Sequence, residues 1–252
     1  MPRKHRRRRT LRPLRELLVS LRARALRESA WAANLALAGG GLVTGTFGNV
    51  SAADRRAGLF AIKPSGVPYA DLTPDHMVLV SLDTGEVVEG DLRPSSDTPT
   101  HLELYRAFPC GGVAHTHSEF ATALAQARLP VRCMGTTHAD FFRGDVPVTR
   151  ELTREEVAGE YERNTGLVIV EAFADAGISP EEVAAVLVAN HGPFTWGADG
   201  HEAVTRSEML EVLARMECTI LAIAPDAPRP ARHLVDRHFL RKHGSDAYYG
   251  QG

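Results

Sequence analysis

The chain has 252 residues, of which 44% are hydrophobic and 24% are charged. This composition excludes disordered, collagen-like and disulfide-scaffold proteins. The net charge of −2 conceals an imbalance, since residues 1–28 hold eleven Lys and Arg against two Glu, while the rest hold 18 basic and 29 acidic residues. The acidic body argues against nucleic-acid binding. No apolar run approaches the roughly 20 residues of a membrane span, and three separated cysteines without a CxxC pattern indicate a reducing, cytoplasmic setting.

The first residues form a dense basic run that includes Arg3 and every Arg from Arg6 to Arg9. Like charges at this density repel one another and stay solvated, so we predict a disordered N-terminal extension over 1–20, or a start site placed too early. An arm for RNA or an anionic membrane is the alternative. It is disfavoured because no aromatic residue is interleaved for base stacking.

Apolar periodicity and turn signals predict alternating helices and strands along the rest of the chain. Strands are expected over 42–50, 59–63, 77–82, 86–89, 112–116 and 184–189, the third and fourth as a hairpin. Helices are expected over 11–37, from about 97 to 108, and over 119–127, 153–176 and 199–224. A last helix is expected to end at about 243. The pattern predicts one α/β domain with a mixed sheet.

Histidines provide the strongest chemical signal. His115 and His117 are two residues apart on a predicted strand, so both rings can reach one cation. His191 follows another apolar strand, and Asp97 stands at a predicted helix start. These are ligand types of a divalent transition metal, and the set suits zinc. Two ordinary, partly buried histidines would be the simpler interpretation of the first pair alone.

A second group of residues is typical of an anion site. Lys63 precedes a turn that contains Ser65 and Gly66, and Ser95 and Ser96 lie at a predicted helix N-terminus, where phosphate is favoured. Asn49 lies in a further loop that could belong to the same site. Each of these segments taken alone is more typical of an ordinary turn or cap.

Two further regions are candidates for proton transfer. Asp140 follows an irregular stretch and could act as a general acid or base, although an isolated loop aspartate is usually solvated. The last residues include Tyr248 and Tyr249, and chain ends are generally polar and frayed. Aromatic residues there indicate an end that docks on something.

These motifs, in this order, closely resemble the L-ribulose-5-phosphate 4-epimerases, a branch of the class II aldolase/adducin superfamily. The resemblance covers about 21 to 251, and 21–252 is the expected catalytic domain. The motifs that carry it are Gly48-Asn49-Val50-Ser51, Ile62-Lys63-Pro64-Ser65-Gly66-Val67, Pro94-Ser95-Ser96-Asp97-Thr98-Pro99-Thr100-His101, His115-Thr116-His117-Ser118, Gly135-Thr136-Thr137-His138-Ala139-Asp140, Asn190-His191-Gly192-Pro193-Phe194, Leu240-Arg241-Lys242-His243-Gly244 and Tyr248-Tyr249-Gly250-Gln251.

The resemblance implies a three-layer α/β/α sandwich around a mixed, largely antiparallel sheet. It also implies a homotetramer with active sites between subunits, one Zn²⁺ per subunit and a phosphorylated ketopentose as substrate. The implied roles are as follows: zinc ligands Asp97, His115, His117 and His191; phosphate pocket Asn49, Lys63, Ser65, Gly66, Ser95 and Ser96; acid/base pair Asp140 and Tyr249, with Tyr249 from the neighbouring subunit; and a C-terminal segment with His238 and Arg241 that closes over the site.

Related aldolases that act on phosphorylated sugars share the histidines but carry a Glu, acting as base, where this chain has Asp97. The shorter Asp97 and the Tyr-Tyr-Gly-Gln end favour the epimerase. Phe47 departs from the usual Trp, and Ala189-Asn190 from a more polar pair. A sugar-phosphate aldolase and a non-catalytic, adducin-like interaction protein are the alternatives.

Overall fold

The structure is a computed structural model that describes the backbone of residues 7–249 and the side chains of residues 19–249. The described residues form eight α-helices and seven strands. The strands are β1 (Asn49–Asp54), β2 (Leu59–Ile62), β3 (Val78–Ser81), β4 (Val87–Glu89), β5 (Gly112–His115), β6 (Ala185–Leu187) and β7 (Pro193–Gly197). The helices are α1 (Arg7–Gly39), α2 (Thr98–Ala107), α3 (Glu119–Ala127), α4 (Thr136–Ala139), α5 (Arg154–Ala158), α6 (Tyr161–Ala176), α7 (Gly200–Ile223) and α8 (Arg232–His243).

The strands form one sheet in the order β4-β3-β2-β1-β5-β7-β6, and all these neighbours are antiparallel. One isolated parallel bridge joins Val148 to Leu187. In the central pair, Asn49 lies opposite His115 and Ser51 lies opposite Val113. Since alternate residues of a strand share a face, these four side chains lie on the same side of the sheet.

Helices cover both faces of the sheet, which gives the three-layer α/β/α sandwich expected from the sequence. On one face Val50 packs with α1 and α7 through Leu37 and Ala203. On the other face Tyr105 of α2 packs against the strands in the largest core cluster. Helix α6 also packs on that face, where its Phe173 contacts Trp196 of β7 with ring centroids 5.2 Å apart.

Several element boundaries differ from the predictions. The strand predicted over 42–50 is wrong, because β1 runs from Asn49 to Asp54 and the residues before it form a loop in which Gly45 and Gly48 have positive φ. The single helix predicted over 153–176 is divided into α5 and α6 at Gly159. Strand β7 was not predicted, whereas α3 matches its predicted bounds.

The N-terminal helix begins at Arg7, so residues 7–20 of the predicted extension are helical here. Residues 1–6 of the basic run lie outside the described residues, and the boundary of the catalytic domain at 21 stays a prediction. Among the described helices none combines the length and apolar character needed to cross a bilayer.

Candidate active site

Three histidines converge where β5 and β7 meet. His115 ends β5, His117 follows two residues later, and His191 lies in the turn before β7. The Nε2 atoms of His115 and His117 are 3.1 Å apart, and one ligand atom from each of the three rings lies within 4.8 Å of the other two. The two separate sequence motifs therefore form one cluster, as predicted.

The surroundings leave these rings ready to bind a cation. Nδ1 of His115 donates to the carbonyl oxygen of Pro193 at 2.9 Å, which leaves the Nε2 lone pair of His115 free. Burial, with His115 and His117 nearby, lowers the pKa of His191 to about 4. Burial and then His115 also lower the pKa of His117, against the opposing charge of Asp97. His117 and His191 are therefore neutral near pH 7, the state that a metal requires.

Asp97 is the N-cap residue of α2, but its side chain does not cap the helix. Instead, Nδ2 of Asn49 donates to Oδ2 of Asp97 at 2.7 Å and to Oγ of Ser95 at 3.1 Å. Burial raises the pKa of Asp97, but the electrostatic influence of His115 and His101 and the hydrogen bond from Asn49 outweigh it and leave the pKa below its ordinary value. Asp97 is thus an ionised, partly buried carboxylate on the wall of the cavity that holds the histidines.

Lys63 supplies a buried cation to the same site. Its side chain is 2% exposed, and Nζ lies 3.4 Å from the carbonyl oxygens of Thr46 and Pro64 and 4.8 Å from the ring centre of Tyr69. Burial lowers the pKa of Lys63. No carboxylate lies within ion-pair distance of this ammonium among the described residues. A phosphate group could therefore become its counter-ion.

Two serine-containing loops lie side by side at this end of the site. The N–H of Ser65 donates to Arg93 O at 2.9 Å, and the N–H of Ser95 donates to Lys63 O at 3.0 Å. Gly66 has φ +72°, a conformation that glycine adopts without strain. Gly48 has φ +79°, and a Cβ there would lie 2.9 Å from the carbonyl oxygen of His115, so only glycine lets this loop approach β5.

All of these groups line one cavity of about 350 Å³. The structure brings together ten of the predicted site residues: Asn49, Lys63, Ser65, Gly66, Ser95, Ser96, Asp97, His115, His117 and His191. The cavity thus has a histidine side and a lysine–serine side joined by Asn49 and Asp97.

Six residues that line this cavity were not among the predicted site residues: Thr46, Phe47, Gly48, Pro64, Tyr161 and Glu162. Tyr161 and Glu162 come from a segment that the sequence did not connect to the site. Tyr161 begins α6, and its hydroxyl lies 3.5 Å from Nδ1 of His191. The glycine that interrupts the helix, Gly159, was the available signal, since it places a new helix start beside the site.

The other four predicted residues lie together elsewhere in the chain. Asp140 accepts hydrogen bonds from Arg241, at 2.9 Å and 2.8 Å, and from Nδ1 of His238 at 3.1 Å. Arg241 also lies 4.5 Å from the ring centre of Tyr249. Burial raises the pKa of Asp140, but Arg241, His238 and Lys242 outweigh it and lower the pKa overall. Neither Asp140 nor Tyr249 is among the described residues that line the histidine cavity.

The comparisons with known proteins agree with this geometry. The family model of the Class II Aldolase and Adducin N-terminal domain matches residues 28–218. The chain belongs to the class II aldolase/adducin family. An L-fuculose 1-phosphate aldolase structure is 26% identical with a TM-score of 0.70, over 83% of this chain and 92% of that one.

Two further solved structures of this kind are similar to the chain. YgbL from Klebsiella pneumoniae, described as a candidate aldolase/epimerase/decarboxylase, is 28% identical with a TM-score of 0.66, over 85% of this chain and 98% of that one. The L-fuculose-1-phosphate aldolase of Thermus thermophilus is 27% identical with a TM-score of 0.62, over 81% of this chain and all of that one.

The class II aldolase family implies a divalent metal, and the residues present fit one. Three imidazoles converge, those of His117 and His191 are neutral near pH 7, and the His115 ring is oriented by a backbone carbonyl. The ionised carboxylate of Asp97 lines the same cavity. Three histidine nitrogens with room for a further oxygen ligand form a donor set that suits zinc. His115, His117 and His191 would hold the ion, with Asp97 as the adjacent carboxylate.

Proposed function

We propose that this protein is a zinc-dependent L-ribulose-5-phosphate 4-epimerase that interconverts L-ribulose 5-phosphate and D-xylulose 5-phosphate. The observation that carries the proposal is the arrangement of the cavity: three histidines, the Asn49-bound carboxylate of Asp97 and the buried Lys63 line one space. This arrangement suits a substrate that has a phosphate at one end and a carbonyl at the other.

The chain's own residues would orient the sugar. The Lys63 ammonium and the hydroxyls of Ser65, Ser95 and Ser96 bind the phosphate, which places the carbonyl end beside the histidines. A zinc ion, when bound, supplies Lewis-acid polarisation of the substrate's oxygens. Asp97 keeps its position because Asn49 donates to it.

The inverted carbon determines the type of reaction. C4 of the substrate is not adjacent to the C2 carbonyl, so its proton is not acidic and simple deprotonation cannot invert it. Cleavage of the C3–C4 bond solves this, because it leaves an enediolate and glycolaldehyde phosphate. The aldehyde group then rotates and is attacked on its opposite face, which re-forms the bond with C4 inverted.

Two proton transfers accompany this cycle. We assign them to Asp140 and Tyr249, both of which the partner subunit contributes. The carboxylate of Asp140 is ionised, so it can accept the proton of the C4 hydroxyl as the bond breaks. The hydroxyl of Tyr249 can return a proton to the new C4 oxygen on the other face. The roles exchange in the reverse direction. This assignment requires the homotetramer, or another assembly that joins the two groups.

An aldolase that releases its two fragments is the second candidate. The similarity to L-fuculose 1-phosphate aldolase structures favours it. Asp97 favours the epimerase, since the related aldolases carry a Glu, acting as base, at this position, and the shorter carboxylate is held by Asn49 on the wall of the histidine cavity.

A product assay tests the proposal. The zinc-loaded protein is incubated with L-ribulose 5-phosphate in the presence of an aldehyde-trapping reagent, with His117→Asn as the inactive control. The epimerase accumulates D-xylulose 5-phosphate with little trapped aldehyde. Stoichiometric trapped glycolaldehyde phosphate, or turnover of L-fuculose 1-phosphate alone, would instead establish the aldolase. Metal-free protein with no turnover of either sugar would indicate an adducin-like interaction protein.

A further inference from the structure

A chain of three buried polar side chains lies behind the cavity wall. The hydroxyl of Ser51 is 2.7 Å from Nδ1 of His101 and 2.7 Å from the hydroxyl of Tyr105. Ser51 and His101 are fully buried and Tyr105 is 1% exposed. Buried polar groups of this kind are kept only where their hydrogen bonds are made.

The hydrogen bonds of this chain run in one direction. Burial lowers the pKa of His101 to about 3, so its ring is neutral and carries a single N–H. Tyr105 has Ser51 as its hydrogen-bond partner, and a buried phenol stabilises its O–H by donating. Tyr105 therefore donates to Ser51, and Ser51 donates to Nδ1 of His101. The remaining proton of the ring is on Nε2.

Two buried side-chain atoms in this region have no hydrogen-bond partner. These are Nε2 of His101, a donor, and Oδ1 of Asn49, an acceptor. A buried polar atom that is left unpaired destabilises the fold, so these two atoms call for an explanation. The same Asn49 side chain already donates to Asp97 through its other atom.

His101 and Asp97 lie on the same face of α2. The backbone N–H of His101 donates to the carbonyl oxygen of Asp97 at 3.0 Å, so the two residues are one helical turn apart. They are close enough that each group influences the pKa of the other. Phe194 lies between His101 and the histidine cluster. Its ring packs edge-on against His101 and stacks on His115 with ring centroids 4.1 Å apart.

From this arrangement we infer that His101 is a positioning residue for Asp97: its Nε2–H, which has no hydrogen-bond partner in this structure, donates to the carboxylate when Asp97 turns toward a bound metal. The chain Tyr105–Ser51–His101 fixes the tautomer and the ring orientation. The inference rests on the proposed function, because it assigns Asp97 to the metal side of that site. Asn49 and His101 then restrain the same carboxylate from two elements, β1 and α2.

A matched pair of substitutions separates positioning from packing. His101→Asn places an amide at the Nδ1 position, so it keeps a partner for Ser51 but loses the group at Nε2. His101→Gln places an amide N–H at the Nε2 position. Zinc affinity of the full chain is measured by competition with a chromogenic chelator, together with kcat, KM and the free energy of unfolding.

We expect His101→Asn to lower zinc affinity and kcat by about 10–100-fold, the usual effect of removing a group that orients a metal ligand. KM should change little, and His101→Gln should recover part of both losses at similar stability. The inference is overturned if His101→Asn binds zinc like the wild type, or if both variants lose affinity equally and in proportion to their loss of stability.

His117→Asn, measured in the same way, keeps this test independent of the proposed function. If His117→Asn loses zinc while His101→Asn does not, the positioning role is wrong and the metal site stands. If His117→Asn still binds zinc like the wild type, the metal site itself is wrong, and the proposed function and this inference are both overturned.

Discussion

Asp140 and Tyr249 share one partner, Arg241, although they are more than a hundred residues apart in the chain. The guanidinium of Arg241 donates to both oxygens of Asp140, and it lies 4.5 Å from the ring centre of Tyr249. The backbone N–H of Tyr249 also donates to Arg241 O at 3.1 Å. The proposed acid and base therefore belong to one cluster, the Arg241 cluster, and we expect them to enter an active site together.

The sequence-based expectation is that Tyr249 alone comes from the neighbouring subunit. If the Arg241 cluster stays together on assembly, Asp140 comes from that subunit too, and this alternative predicts which mixed oligomers are active. His117→Asn subunits mixed with Asp140→Asn subunits should regain part of the activity, because some sites combine an intact His117 with an intact Asp140 of the partner subunit. Tyr249→Phe mixed with Asp140→Asn should regain none, since every cluster then lacks one residue. The assay is activity after verified subunit exchange.

The other outcomes of the two subunit mixtures would contradict this arrangement. Recovery in the Tyr249→Phe and Asp140→Asn mixture, with none in the other, would place Asp140 in the same subunit as the metal it serves. Recovery in neither mixture would mean that each site is built from one chain.

The metal site predicts about one zinc per chain. His117→Asn should lose the ion and turnover together, because two histidines remain where three converge. His201→Asn, an exposed histidine of α7, is the matched control and should keep both. Elemental analysis of the purified proteins checks this prediction, and fully active wild-type protein without a divalent metal would contradict it.

The buried Lys63 predicts a specific loss of phosphate binding. Lys63→Met should raise KM for the phosphorylated sugar by about 10–100-fold, since a hydrogen bond to a charged group contributes about 1.5–3 kcal/mol. Turnover of unphosphorylated L-ribulose, the control substrate, should not change. Burial lowers the pKa of Lys63, so this side chain loses its charge at a lower pH than an ordinary lysine. As the pH is raised, the wild-type KM should therefore begin to increase before an ordinary lysine would titrate. An unchanged KM in Lys63→Met would show that the phosphate binds elsewhere.

Two buried neutral histidines predict loss of stability in mild acid. Burial lowers the pKa of His101 to about 3 and of His138 to about 4, whereas both groups titrate near 6.5 in the unfolded chain. The unfolded state therefore binds more protons between these values, and the free energy of unfolding falls as pH drops below 6.5. Each histidine contributes a slope of about 1.4 kcal/mol per pH unit.

Denaturant titrations of the metal-free protein at pH 7 and pH 5 measure this effect. In the metal-free protein His191, whose pKa is also lowered to about 4, adds to the same effect. His138→Gln removes one of these groups, so its stability should depend less steeply on pH than that of the wild type. An equal slope in both proteins would mean that His138 does not titrate on unfolding in this range.

Local signals in the sequence were enough for much of the fold. The bounds of α3 and the β3–β4 hairpin follow from periodicity and turn residues within the segments themselves. Strand β1 was misplaced because Leu42 and Val43 look strand-like, while the chain needs a loop in which Gly48 approaches His115. Strand β7 depends on pairing with β5 and β6, which no local pattern of its residues reveals.

Some residues of the candidate site could likewise be found from local sequence motifs, whereas others depend on tertiary contacts. His115, His117 and Lys63 stand in motifs whose spacing carries the chemistry, so they could be found from the sequence. Tyr161 meets His191 only because α6 starts beside the cavity. The proximity of Asp140 to Tyr249 depends on how α8 packs on α4, a tertiary contact that the sequence does not encode locally.

The reaction in deuterium oxide tests the central claim most directly, namely inversion of C4 by cleavage of the C3–C4 bond. Hydrogens on C3 and C4 stay on their carbons when that bond breaks and re-forms, so we predict D-xylulose 5-phosphate with no deuterium on carbon, as measured by proton NMR and mass spectrometry. Deuterium at C4 would show that the carbon is inverted by deprotonation, and no D-xylulose 5-phosphate at all would contradict the proposed function.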